Sequence, residues 1–462
     1  MSDLLYYLIC LVLTVGVLVG IAMMSKVKSS VMGNLLSALC TAVAILVTLY
    51  KYNLLSQAGL WICLVVGLVA GLGAAYRIKM IEMPQAVALL NGFGGAASAL
   101  VALVSLLSGQ LAGGFALFTG GLALAIGMIT LTGSLVAAGK LHKIISQRPV
   151  IWKNHSAVVG LSIIASLVFV VLTPFPLLPM GLLAVLIVVV TGFFGIAFSI
   201  RVGGADMPIT ISLLNSLSGV AGSIAGMAIG DPLLVAIGGV VGASGLLLTQ
   251  IMCRAMNRHL MDILLGKTSA PAPKATSQAK AEAEAQGADI APAKEEDPAQ
   301  VLKNAKKVII VPGYGMALAQ AQGAVKQIVD QLEAQGTEVK FAIHPVAGRM
   351  PGHMNVLLCE ADIPYEQLYE MDDINPEFQD CDAVLVIGAN DVLNPAANTA
   401  EGTPIYGMPV LDVASAKHVI ICNYDLKPGY AGVENPLYHR QQGVSLLLGD
   451  AAKTLRELLT QL

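Results

Sequence analysis

Long apolar runs fill the first 266 residues, and after a polar break the pattern changes to short apolar strands alternating with amphipathic stretches. A helix rises about 1.5 Å per residue, so crossing an apolar core about 30 Å thick takes roughly 20 apolar residues. Nine runs reach that length, at about 4–24, 31–50, 56–76, 84–107, 111–137, 156–174, 178–199, 206–228 and 232–253. They predict a polytopic α-helical membrane domain of about nine spans over residues 1–266. No basic flank precedes the first run and no small-residue cleavage site follows it, so 4–24 reads as a retained span.

The loops give the expected orientation. One alternate set carries Lys26, Lys28, Arg77, Lys79, Lys140, Lys143, Arg148, Lys153, Arg201, Arg254 and Arg258, and the other only Lys51. Lys and Arg collect on the cytoplasmic side, which puts the N-terminus outside and everything beyond the ninth span in the cytoplasm.

An internal repeat lies within the spans. Glu82-Met83-Pro84, Leu89-Leu90-Asn91 and Gly95 recur 124 residues later as Asp206-Met207-Pro208, Leu213-Leu214-Asn215 and Gly219. Each copy places an acid before Pro at a helix start, facing the positive end of the helix dipole, and an Asn two turns further in. Small neighbours such as Gly94 and Gly222 suit close helix packing, and an amide also serves as glue between helices. The pairing by repeat instead favours a shared polar pathway. No His, Lys, Arg, Asp or Glu falls at the middle of a span, so a proton route would use Asn91, Asn215, Ser98, Ser212, Ser218, Ser244 and water, entered near Asp206, or borrow a group from a partner.

Composition sharpens the division. The chain of 462 residues is 56% hydrophobic and 12% charged, with a mean hydropathy of +0.74, an excess that suits contact with a lipid bilayer and offers nothing to nucleic acid. Seven cysteines, Cys10, Cys40, Cys63, Cys253, Cys359, Cys381 and Cys422, show no CxxC spacing, so neither a metal site nor a disulfide framework is expected. Residues 267–299 are rich in Ala, Pro, Glu and Lys without apolar periodicity and read as a solvated linker.

The remaining 300–462 read as an α/β Rossmann-like domain, a doubly wound parallel sheet. Strands are expected at Lys307–Pro312, Val339–Ile343, Ala383–Ile387, Val419–Cys422 and Ser445–Leu448, and a helix from Met316 to Gln335. Gly313-Tyr314-Gly315 between the first strand and that helix is the turn that lets a pyrophosphate approach backbone N–H groups. Leu318 replaces the third glycine of the usual fingerprint, and no acid closes the second strand, which ends in His344-Pro345. Loops at further strand ends, 348–353, 388–391 and 429–433, favour a ligand site over a plain tight turn, because this fold binds its ligand there.

The strings GYGMALAQAQ (313–322), HPVAGRMPGHMNVLL (344–358), GANDVLNPAA (388–397) and GYAGVENPL (429–437) resemble the beta subunit of proton-translocating NAD(P) transhydrogenase, and ADMP, LLNSLSG and IMCRAMNR extend the likeness over essentially the whole chain. The resemblance implies NADP(H) on this chain and NAD(H) on a separate alpha subunit, which adds its own membrane helices. It also implies direct hydride transfer coupled to proton movement, a dimer of the alpha-beta unit, and a bacterial cytoplasmic membrane. Gly313, Tyr314, Gly315, Met316 and Ala317 would cradle the pyrophosphate and Arg349 would add a charged contact. Gly388, Asn390 and Asp391 would lie toward the nicotinamide, and Gly429, Tyr430 and Ala431 would form a lid. Direct hydride transfer needs no protein acid or base, so no catalytic residue is expected.

Two positions depart from the family pattern. Asn423-Tyr424-Asp425 stand where relatives carry Lys-Arg-Ser for the 2′-phosphate, which leaves NAD(H) open as this domain's nucleotide. Asn91 stands where several relatives have the His of the proton path. A different class of reading is a dinucleotide-gated transporter or channel without hydride chemistry.

Overall fold

The computed structural model describes residues 2–24, 27–147, 149–204, 206–256, 259–261, 297–350, 352–401, 403, 405–429, 431–440 and 442–462. The expected linker lies almost wholly outside the described residues, as does Tyr430. The chain falls into two compact units, whose division passes inside the eighth and ninth helices at 209/210 and 249/250.

Nine helices among the described residues are long and apolar enough to cross a membrane. They are α1 (Asp3–Met24), α2 (Val27–Lys51), α3 (Ala58–Arg77), α4 (Met83–Leu107), α5 (Gly114–Leu141), α6 (His155–Leu172), α7 (Met180–Arg201), α8 (Met207–Ile229) and α9 (Pro232–Ala255). They match the nine expected runs, and the ends that moved have local causes. Gly113, at φ 87°, holds the loop open until Gly114, so α5 starts three residues late. It then continues to Leu141, because the buried Lys140 ammonium donates to Ile200 O (2.5 Å) and Val202 O (2.7 Å) where α7 ends. Carbonyls at the negative end of a helix offset the cost of burying that cation. Glu82 sits at the N-cap of α4, but its side chain makes no capping hydrogen bond, so only the dipole term of the expected arrangement remains.

Glycines set how closely the helices approach. A Cβ on Gly127 would stand 2.6 Å from Gly95 O, so α4 and α5 cross backbone to backbone. The second copy of the repeat builds the same crossing: a Cβ on Gly219 would stand 2.6 Å from Gly242 N, and one on Gly238 2.8 Å from Gly219 O, between α8 and α9. The copies also meet. A Cβ on Gly94 would lie 3.5 Å from Ser218 Cβ, and one on Gly222 3.8 Å from Ser98 Oγ, so each residue faces its own mate 124 positions away. Helices α4 and α8 therefore run side by side, parallel and in register.

The second unit carries a six-stranded sheet in the order β3-β2-β1-β4-β5-β6, every pair parallel. Its strands are β1 (Lys307–Pro312), β2 (Glu338–Ile343), β3 (Leu368–Glu370), β4 (Ala383–Ile387), β5 (His418–Asn423) and β6 (Val444–Leu448). This is the doubly wound order of dinucleotide folds, with the strand direction of travel reversing between β1 and β4. Val311, Val384, Val386, Val419 and Ile421 are wholly buried. Each such side chain stabilises the sheet by roughly 1.5–3 kcal/mol.

Two expectations need correction. The short edge strand β3 was not foreseen: only three residues, Leu368, Tyr369 and Glu370, pair with β2, too few to show an alternation. The single helix expected from Met316 to Gln335 is two, α10 (Tyr314–Ala319) and α11 (Gln322–Ala334), because Gln320 adopts the left-handed region at φ 51° and ends the first. Gln is not one of the residues enriched in that region, so nothing in the local sequence marked the break.

Candidate functional site

The carboxyl ends of β1 and β4 come together through glycine. Gly313 N donates to Ile387 O and Gly315 N to Gly388 O, each at 2.8 Å, and Met316 N donates to Gly313 O at 3.1 Å. A Cβ on Gly313 would collide with Gly388 O, one on Gly315 would reach 2.6 Å from Gly388 Cα, and one on Gly388, at φ 65°, would strike Gly315. The three glycines thus fasten two strand-end turns together at the switch point. The N–H groups of Gly313, Gly315 and Met316 are spent in this junction, and the side chains of Met316 and Ala317 pack into the core. What the turn presents to a ligand is a smooth, close backbone surface rather than those three donors.

Beside the junction is an open cavity of about 200 Å³, lined by Gly315, Leu318 and Ala319 of α10, Gly388 after β4, Cys422 near the end of β5 and Tyr424 just beyond it, and Gly449, Asp450 and Ala451 after β6. Leu318, in the place of the fingerprint's third glycine, is half exposed along its wall. The β6 end was missed by sequence reasoning, although its Gly449-Asp450 is a strand-to-helix turn like the others. Asp450 caps the last helix, α12 (Ala451–Gln461), by accepting from Ala452 N at 3.1 Å and Lys453 N at 3.2 Å. Burial pushes the Cys422 thiol up to about 12, so this lining residue stays protonated and inert.

The loop after β4 holds the segment expected to form a lid. Asn390 Nδ2 donates to Lys427 O at 3.1 Å and its Oδ1 accepts from Asn435 Nδ2 at 3.0 Å. Asp391 Oδ2 accepts from Ala431 N at 3.1 Å, and Asn394 Nδ2 donates to Glu434 O at 3.2 Å. Gly429 lies so close to Asp391 that a Cβ would collide with its carboxylate. Three polar side chains from one strand end therefore hold the segment 427–435.

Asn423, Tyr424 and Asp425 do three different things. Asn423 is buried and donates to Ala389 O at 3.0 Å and Tyr438 Oη at 2.8 Å, joining the β4 and β5 ends. Tyr424 is 80% exposed, so its ring is free to cover whatever occupies the cavity. Asp425 turns back on its own chain: Oδ1 accepts from Lys427 N at 3.2 Å and Oδ2 pairs with Lys427 Nζ at 3.0 Å. That hydrogen bond from Lys427 is the main reason its carboxyl titrates below the usual range.

On the β2 side, Arg349 is buried with its guanidinium 4.4 Å over the Tyr314 ring, and Tyr314 lies 6.2 Å from the His353 ring. His344, which ends β2 where an acid often stands, is fully used: Nε2 lies 2.9 Å from Pro409 O and Nδ1 accepts from Val346 N at 3.2 Å.

Among the membrane positions, Asn91 is buried and donates from Nδ2 to Ile211 O at 3.3 Å, one turn before Asn215. Asn215 is half-buried on the same helix pair. Ser244 stands apart, exposed on α9 with its hydroxyl turned back on Val241 O at 3.1 Å. Asp206 is buried just ahead of α8. The structure thus ties Asn91 to the backbone of α8 one turn from Asn215 and leaves Ser244 apart from both.

A multi-pass helical bundle carrying a parallel-sheet nucleotide domain, with glycine junctions at its switch point, defines a membrane-bound protein of the dinucleotide-using class. The sequence model of the family described as NAD(P) transhydrogenase beta subunit matches residues 6–461. The NAD(P) transhydrogenase subunit beta of Rhodospirillum rubrum is 40% identical over 481 residues, covering 96% of this chain and 96% of the relative, and a second curated protein of that name from a strain of the same species matches equally. The chain belongs to the NAD(P) transhydrogenase beta-subunit family, and so is a subunit of an oxidoreductase that works with nicotinamide nucleotides beside an alpha subunit.

Proposed function

We propose that this chain carries the NADP(H) site of a proton-translocating transhydrogenase in a bacterial cytoplasmic membrane. Hydride passes directly between NADP(H) here and NAD(H) on the alpha subunit, and only the joined subunits are active. The observation that carries this reading is the glycine junction at the β1/β4 switch point, in a chain that matches the family from residue 6 to 461. The residues fit a dinucleotide: the close backbone at Gly313, Gly315 and Gly388 leaves room for a diphosphate, and Arg349 supplies positive charge nearby. Gly429, Tyr430 and Ala431 form the lid that excludes water, and Asn390 and Asp391 support this role by holding Lys427 O and Ala431 N.

Hydride transfer asks of the protein only that two nicotinamides be brought into contact and kept dry. Coupling asks that nucleotide state bias the arrangement of the domain, joined through the linker at 267–299, against the membrane part at 1–266. Asn91, whose amide donates to Ile211 O, and Asn215 one turn further along α8 offer polar groups to the proton path, with an ionisable group supplied by the alpha subunit. The cytoplasmic side holds the domain, and two alpha-beta units associate. The test is a reconstituted complex with its alpha subunit in vesicles: NADPH reduces an NAD⁺ analogue and a pH-sensitive dye reports proton movement in step. A dinucleotide-gated channel would move ions with no hydride transfer.

A second reading is favoured by one local arrangement. Among the described residues no Lys or Arg lines the cavity, and Asp425 stands ion-paired with Lys427 where relatives carry a phosphate-gripping triplet, so this domain would take NAD(H). Calorimetric titration of the complex with NADP⁺ at matched salt separates the two, because the alpha subunit would take up NAD⁺ under either reading: tight NADP⁺ binding supports the first and its absence the second.

A further inference from the structure

His353 opens a short helix, His353–Glu360, behind Gly352, and is 1% exposed. Its Nδ1 accepts from Arg349 N at 3.1 Å. A ring nitrogen that accepts carries no proton, so in the neutral imidazole the hydrogen sits on Nε2. Burial first, and then the Arg349 charge, lower its pKa to about 4, which keeps the ring neutral near pH 7. The Nε2 atom is buried and has no hydrogen-bond partner among the described residues. His344, nine residues earlier in the same strand-end region, has both nitrogens engaged.

A buried N–H without an acceptor is uncommon because its lost hydration is not repaid, and such groups in folded proteins mark a missing partner. The ring is also fixed in place: a Cβ on Gly348, at φ 111°, would press on His353 Nδ1 at 2.6 Å. The ring lies 6.2 Å from that of Tyr314, the middle residue of the glycine turn after β1, so the unpartnered donor stands beside that turn.

We propose that His353 Nε2–H donates a hydrogen bond to an oxygen acceptor of the bound nicotinamide dinucleotide and so fixes the ligand's position against the Tyr314 turn. This rests on the dinucleotide reading above. A neutral donor of fixed tautomer discriminates by geometry rather than charge, complementing the Arg349 guanidinium beside it. The acceptor is a diphosphate oxygen or the carboxamide carbonyl, both carried by the same ligand.

The test uses the full complex with its alpha subunit in detergent. With 15N-labelled histidine, and the His353 signal identified by its loss in His353→Gln, adding NADP⁺ or NAD⁺ moves the Nε2 resonance while Nδ1 stays protonless. A shift with the ADP-ribose 2′-phosphate fragment or ADP-ribose alone assigns the acceptor to the diphosphate, and a shift only with the complete dinucleotide assigns it to the carboxamide. In calorimetry His353→Leu weakens dinucleotide binding roughly tenfold or more, whereas His353→Gln, which keeps an N–H, stays within about threefold of the wild type. An Nε2 resonance indifferent to ligand overturns the inference, as does a folded Leu variant that binds like the wild type. Should the wild-type complex bind no NADP⁺ and no NAD⁺ beyond the alpha subunit's own equivalent, the functional reading fails with it, so the two failures are distinguishable.

Discussion

Asn435 reaches back across 45 residues to donate from Nδ2 to Asn390 Oδ1 at 3.0 Å, while Asn390 donates in turn to Lys427 O. One amide thereby holds both flanks of the lid segment. Replacing it removes two hydrogen bonds at once and leaves their partners unmatched, so Asn390→Ala loosens the lid by about 1–3 kcal/mol. Faster amide exchange across 427–435 and a faster nucleotide off-rate are expected; unchanged exchange there would reject the tether.

The glycine crossings are directly testable against a built-in control. At Gly95 and Gly219 an added methyl meets backbone of the neighbouring helix, whereas at Gly67 and Gly71 nothing lies within 4 Å. Gly95→Ala and Gly219→Ala should each cost about 1–3 kcal/mol, and Gly67→Ala should be neutral or slightly stabilising. Thermal unfolding in detergent reads the difference, and equal midpoints for all three variants would contradict it.

Acid should weaken the sheet domain through two histidines. Burial lowers both His344 and His353 to about 4, from 6.5 when unfolded. Above pH 6.5 neither state is protonated and stability is full. Between 6.5 and about 4 the unfolded chain binds protons that the folded chain refuses, so stability falls with pH, by up to roughly 3 kcal/mol per ring. The unfolding midpoint, followed from pH 7.5 to 4.5, should drop, and the drop should be smaller in His344→Gln. A midpoint flat over that interval would show that the rings are not buried as described.

Lys427 screens Asp425 at the β5 end. Lys427→Ala exposes that carboxylate to the nucleotide region, so affinity for the 2′-phosphorylated dinucleotide should fall relative to the unphosphorylated one, by roughly threefold because the pair is solvent-exposed. Paired titrations give the ratio; no change would place the 2′ position elsewhere.

Much of this protein was legible from its sequence for a simple reason. Burying apolar side chains in lipid or between helices requires runs of fixed length and period, and those are one-dimensional quantities. The nine spans, the five longer strands and the repeat of Asn91 at Asn215 follow from that periodicity and spacing. The strand order, by contrast, depends on which β-strand lies beside which, and pattern alone does not encode neighbours. Chain distance likewise hid the meeting of Gly94 with Ser218, of Gly315 with Gly388 and of Asn390 with Asn435, because each contact joins residues that only folding brings together. The roles within Asn423-Tyr424-Asp425 were decided the same way. Residue type suggested one surface for a phosphate, but tertiary structure buried the first, exposed the second and tied the third to Lys427. Composition and spacing set the kind of protein and its parts, and the packing of distant backbone determined which polar atoms remain to meet a ligand.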